Sequence, residues 1–116
     1  MSLDGELLST LVGLMEEDSE TMVPARLSLL VYLYFARHAT FPVLQKKLGF
    51  TSGNLSSHLR KLEELGLIQI SKSFVKLRPT TFAVLTKEGA ERLRSQMVRM
   101  RELVSMVVDK ETKSEE

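Results

Sequence analysis

The chain has 116 residues, 43% of them hydrophobic and 27% charged, the balance of a globular protein with material for one core and not for two. It contains no cysteine, which excludes a disulfide framework, a thiolate zinc site and a thiol-based redox sensor, and fits a cytoplasmic setting. The net charge of +1 hides a segregation, because residues 1–23 hold six acids and no base while residues 38–87 hold eight bases and two acids, a field of the sign that suits a polyanion.

Residues 3–15 read as an amphipathic helix with Leu3, Leu7, Leu11 and Met15 on one stripe, widened by Leu8 and Val12. Gly5 and Gly13 weaken it, so it needs a surface to pack on. The acids that follow Leu3 almost at once argue against a signal sequence. EEDSE at residues 16–20 reads as a polar linker or frayed end. Pro24 suits a first helical turn, and residues 25–38 are apolar nearly all round, which puts that helix in the middle of the domain. Its apolar run is too short to span a bilayer, so no membrane association is expected.

Thr40-Phe41-Pro42 breaks the helix. Residues 43–48 then form a short helix with Val43, Leu44 and Leu48 inward, Gly49 ends it, and Phe50 fills the corner. Thr51 is the N-cap of the next helix, residues 51–65 (TSGNLSSHLRKLEEL). There Leu55, Leu59, Leu62 and Leu65 make one stripe, and Gly53, Ser57, Arg60 and Glu64 fall on the opposite side, flanked by Ser56 and Lys61. Hydroxyls, asparagine and arginine on a face with little bulk are the groups that meet phosphates and base edges. Helix, short glycine turn, helix is the helix-turn-helix arrangement, whose second helix reads DNA. A corner that only packs would look much the same in isolation, and the local excess of bases weighs against that reading.

After Gly66 the period changes to two. Ile68 and Ile70 alternate with Gln69 and Ser71, and in residues 80–85 Phe82 and Val84 oppose Thr81 and Ala83. Between them KSFVKLRP, residues 72–79, reads as a basic loop that Phe74, Val75 and Leu77 could shorten by extending the strands. With Lys72, Lys76 and Arg78 and no acid, it has the composition of a wing that reaches a phosphate backbone or the minor groove. Thr86 caps a last helix expected to run to residue 108, in which Leu93, Met97, Met100, Val104 and Val107 form a heptad seam. One small domain cannot cover so long a stripe, so a homodimer is expected, with Leu3, Leu7, Leu11 and Met15 at the same interface. The arginines of this helix are candidates to pair with the acidic N-terminal segment. The parse is one domain: helix and linker in 1–23, DNA-binding unit in 24–86, dimerisation helix in 87–108, and a disordered tail in 109–116.

The two histidines, His38 and His58, have no carboxylate pair at ligand spacing, and the six glycines form no phosphate-cradling loop. No cofactor, no metal and no enzymatic activity are expected. The runs GNLSSHLRKLEELGLI and KSFVKLRPTTFAVLTKEG resemble the winged-helix regulators of the MarR and ArsR type over roughly residues 25–93. The resemblance implies a mostly helical α+β fold, a winged helix-turn-helix with a two-stranded wing and terminal dimerisation helices, binding double-stranded DNA to regulate transcription. Carried over by position, the DNA-facing residues are Ser52, Gly53, Asn54, Ser56, Ser57 and Arg60, with Lys72, Lys76 and Arg78 in the wing. Thr51 and Lys61 join them from the residue reading. The cysteines of the metal- and peroxide-sensing members are absent. Two other readings stand beside this one. The regulator could answer a small apolar effector held near Tyr32, Tyr34 and Phe35, or the winged helix could serve protein contacts without sequence-specific DNA binding.

Overall fold

The computed structural model describes residues 4–114. In chain order these form α1 (Gly5–Glu16), α2 (Pro24–Ala36), β1 (His38–Thr40), α3 (Phe41–Leu48), α4 (Ser52–Glu64), β2 (Ile68–Val75), β3 (Arg78–Leu85) and α5 (Lys87–Ser114). The strands make an antiparallel sheet in the order β1-β3-β2. This is the expected winged helix-turn-helix, with β2 and β3 as the hairpin.

Local chemistry sets the element ends. The Thr40 hydroxyl accepts from the Val43 N–H at 3.3 Å, Thr51 from Asn54 at 3.2 Å and Thr86 from Gly89 at 2.9 Å, so three helices start on threonine caps. Gly49 (φ 76°) and Gly66 (φ 77°) stop α3 and turn the chain from α4 towards β2 in the left-handed conformation that glycine adopts without strain. The leucine stripes then meet. Leu29, Leu30 and Leu33 of α2, Leu44 of α3 and Leu55, Leu59 and Leu62 of α4 share one core with Leu67, Ile68, Ala83 and Leu93. Ala83 is the buried side of β3, while Phe82 lies on the opposite face, its ring centroid 6.0 Å from that of His38.

The start of α5 is fastened to the turn behind α4. The Thr86 hydroxyl donates to the Gly66 carbonyl at 2.7 Å and the Thr86 N–H to the Leu67 carbonyl at 3.1 Å. A Cβ on Gly89 would collide with the Leu67 carbonyl oxygen, closer than real Cβ contacts come. Gly89, the glycine that closes the KSFVKLRPTTFAVLTKEG run, is therefore there for a backbone approach. Gly89→Ala should cost about 1–3 kcal/mol, the usual range for an overpacked site. Urea unfolding checks this, and an unchanged midpoint would refute the close approach.

Several expectations need correction. Residues 16–20 lead from α1 towards α2 with Glu16, Glu17, Ser19 and Glu20 exposed, but one residue of this polar run is not solvated. Asp18 is fully buried, and Arg99 of α5 grips its carboxylate through two nitrogens at 2.6 and 2.7 Å. The Arg99 stem passes over Gly13, where a Cβ would sit 3.1 Å from Arg99 Cδ, so this glycine makes room for the arginine. Beside the pair, the Thr21 hydroxyl donates to Gln96 Oε1 at 2.7 Å, both residues fully buried. His38 does not end a helix: Arg37 turns the chain at φ 73°, and His38–Thr40 pairs with β3 as a third strand. Val43 is exposed rather than inward. Residues 109–114 continue α5 instead of forming a disordered tail. Leu3 and residues 115–116 lie outside the described residues.

Candidate nucleic-acid interface

Helix α4 shows the two faces its sequence promised. Leu55, Leu59 and Leu62 are buried, Ser56 and Lys61 are half-buried, and Ser52, Gly53, Asn54, Ser57 and Arg60 are exposed with the cap Thr51. The exposed face therefore starts at the helix N-terminus, where unpaired N–H groups and the helix dipole favour an anion. Phe50, in the turn from α3, packs its ring 6.1 Å from that of His58 and seats the helix on the core.

Two acids settle where the cations of α4 are free. The Glu63 carboxylate accepts from the Ile70 N–H at 3.0 Å, which ties the C-terminal turn of α4 to the outer strand of the wing. Glu63 is thus occupied, and Arg60 has no ion-pair partner among the described residues. Lys61 differs from the expectation. Its ammonium lies 3.9 Å from Glu20, which also holds Arg26 at 3.0 Å, so Lys61 leans towards the α1–α2 connection rather than the open face. Neither acid was identifiable as a partner from spacing along one helix, since one reaches a strand and the other crosses from before α2.

The wing is longer and its loop shorter than the sequence reading had it. β2 and β3 stay in register from Ile68↔Leu85 to Val75↔Arg78, leaving Lys76 and Leu77 as a two-residue turn. Both have positive φ, 51° and 67°, as the tight hairpin turn requires. Residues 71–79 are all exposed, so the outer half of the ribbon stands clear of the helices. Lys72 shares the strand face of Ile68 and Ile70, whereas Arg78 is paired with Val75 on the other face, so Lys72, Lys76 and Arg78 surround the ribbon rather than lining one side.

The residues expected at a dimer interface divide. Leu93 is 3% exposed and belongs to the protomer's own core. Leu7 is half-buried on the side of α1 that carries the buried Thr10, whose hydroxyl lies 3.4 Å from Glu102 of α5. Leu11 and Met15 are exposed, with Leu8 and Val12 beside them, and so are Met97, Val104 and Val107, while Met100 is half-buried. Among the described residues the exposed stripe of α1 is therefore 8–11–12–15, with Leu7 half-buried. Tyr34 and Phe35 line a cavity of about 390 Å³ with Val31, Met97, Arg94 and Arg101. Arg94 donates to the Tyr34 hydroxyl at 3.1 Å, and Tyr32 lines the neighbouring groove. Among the described residues no group of three His, Cys, Asp or Glu is placed to hold a metal, and no helix is long and apolar enough to cross a membrane.

Residues 25–104 match the family described as "Winged helix DNA-binding domain". An uncharacterized protein of Methanocaldococcus jannaschii is 41% identical over 64 residues, 55% of this chain and 70% of that protein. Among solved structures, a transcriptional regulator homologue from Pyrococcus horikoshii OT3 superposes with a TM-score of 0.80 at 30% identity, covering 85% of this chain and 97% of that one. A structure described as a regulator of the MarR family, from Enterococcus faecalis V583, gives 0.67 at 25% identity, covering 97% and 96%.

Proposed function

The chain belongs to the family of winged helix DNA-binding domains, and on that premise we propose that it is a homodimeric transcriptional regulator that lays α4 in the major groove and its wing along the backbone or minor groove. The observation that carries this reading is the open face of α4. It offers Ser52, Gly53, Asn54, Ser57 and an unpaired Arg60, next to a ribbon with three cations and no acid. Thr51 and Ser56 flank that face as backbone contacts, and Lys61 is left to Glu20. A ligand-responsive form is supported by the apolar cavity under Tyr34 and Phe35, which is of a size for a small apolar effector.

The experiment is binding to the DNA upstream of the protein's own gene, with a salt titration and competitor DNA. A steep fall with salt marks phosphate contacts, and survival against competitor marks specificity. No binding at low salt would leave the protein-contact reading in its place. Arg60 gives the sharpest arm. Arg60→Ala should weaken binding by about 1–3 kcal/mol at nearly unchanged thermal stability, since the exposed side chain has no ion pair among the described residues to lose. Arg60→Lys keeps the charge and loses the planar fork. If it restores binding to all sequences, Arg60 holds a phosphate. If it restores only non-specific binding, Arg60 reads a base. Wild-type affinity in Arg60→Ala would remove this face of α4 from the interface.

A further inference from the structure

We propose that Leu77, at the tip of the wing, is an apolar wedge that enters the minor groove and opens a base step, so that this protein bends the DNA it binds. The inference rests on the DNA-binding reading above and goes beyond it, because phosphate contacts by the wing's cations need no deformation.

Three observations meet at this tip. The first is backbone strain. A two-residue hairpin turn with both residues left-handed is cheapest as Asn-Gly, yet this chain has Lys76 and Leu77 there, at φ 51° and 67°. Leucine lacks the short polar side chain that lets asparagine tolerate this region. The second is exposure. Leu77 is 95% exposed and Phe74, on the same ribbon, is 73% exposed, so neither is held by the protein's own packing. The third is charge. Residues 72–79 carry Lys72, Lys76 and Arg78 and no acid, which favours a polyanion over an apolar protein groove as the occupant. A strained, solvated leucine ringed by cations matches the chemistry of proteins that pair minor-groove cations with an inserted apolar side chain.

The dimensions agree. The five β2 residues beyond Ile70 extend the ribbon by about 16 Å at ~3.3 Å per residue. The minor groove is about 6 Å wide, too narrow for the whole ribbon and wide enough for the side chains of its tip. Pyrimidine–purine steps unstack most readily, so a site selected by this protein should place one under the wing.

The test is energy transfer between the labelled ends of a short duplex that the wild-type protein has selected from random sequence. Wild-type protein should shorten the end-to-end distance. Leu77→Ala should still bind, within about tenfold of wild type, because the burial gained by a wedge and the unstacking it causes offset each other. Its complex should be as straight as free DNA. The double variant Lys76→Asn/Leu77→Gly supplies the cheaper turn, so it should melt no lower than wild type and also leave the DNA straight. A bend that persists in both variants, or a wild-type complex as straight as free DNA, overturns the wedge and leaves DNA binding intact. Failure of the wild-type protein to select any duplex overturns the DNA-binding reading itself.

Discussion

Arg99→Ala should be the most damaging single substitution in the α1–α5 junction, costing about 3–5 kcal/mol, the range for removing one partner of a buried ion pair. Asp18 is fully buried, so without the guanidinium its carboxylate would have neither water nor a cation. The reverse substitution should cost less. The Arg99 side chain keeps 19% of its surface in water and a second acid, Glu17, at 3.1 Å, so in Asp18→Ala the arginine can turn outwards. The double variant should be more stable than Arg99→Ala alone, because it removes the stranded charge. Urea unfolding of all three at one protein concentration gives the comparison. If Asp18→Ala proves the costlier single change, the account of the stranded carboxylate is wrong. Arginine titration plays no part near neutrality. The hydrogen bond that Arg99 donates to Asp18 raises the Arg99 pKa above its ordinary value, with burial opposing and the charges of Asp18, Glu17 and Glu102 adding. The corresponding stability is complete below the ordinary arginine range and is lost only as pH rises through the raised folded value.

How much of this could be read from the chain depends on how far apart the cooperating residues lie. Helix α4 and its open face were legible because Leu55, Leu59 and Leu62 fix the buried side within one helix, and the opposite face follows by rotation. The caps Thr51 and Thr86 and the stops Gly49 and Gly66 act within a few residues and were equally legible, whereas Thr40 read only as part of a helix break and proves to be the cap of α3. The burial of Asp18 was not legible, because an acid inside an acidic run looks solvated. Pairing of an α5 arginine with that run was expected, but not which acid it would bury, since the two partners lie 81 residues apart. The lean of Lys61 towards Glu20 was hidden for the same reason, since Glu20 lies in another segment. The three-residue β1 depends on Arg37 at a positive φ of 73°, for which a non-glycine residue carries no sequence signal. The turn at Lys76 and Leu77 was hidden in the same way, so the wing read as a longer loop than it is.

On the proposed dimer, Val104→Glu should give a folded monomer that binds an operator with two half-sites about 10²–10⁴-fold more weakly, while binding to one half-site stays near wild type. The protomer is extended, with a radius of gyration of 17.6 Å where a compact chain of this length would have about 13 Å. Helix α5 supplies the length. It presents Met97, Val104 and Val107 to solvent, and α1, which packs on it, presents Leu8, Leu11, Val12 and Met15. Seven exposed apolar side chains on two packed helices are costly in water and suit an association site. Covering it with the same surface of a second copy is the closed, self-complementary solution. The Asp18–Arg99 junction would then set the direction in which α1 and α5 leave the winged body, and with it the spacing of the two α4 helices on DNA. Val104 suits the experiment better than Met100 because it is 56% exposed in the protomer, so a charge there meets water unless a partner covers it. Met100 is half-buried, and a glutamate at that position would confound dissociation with unfolding. Sedimentation at micromolar concentration with circular dichroism separates the two outcomes. A wild-type monomer would overturn the dimer, and a Val104→Glu dimer that still binds the full operator tightly would place the interface elsewhere.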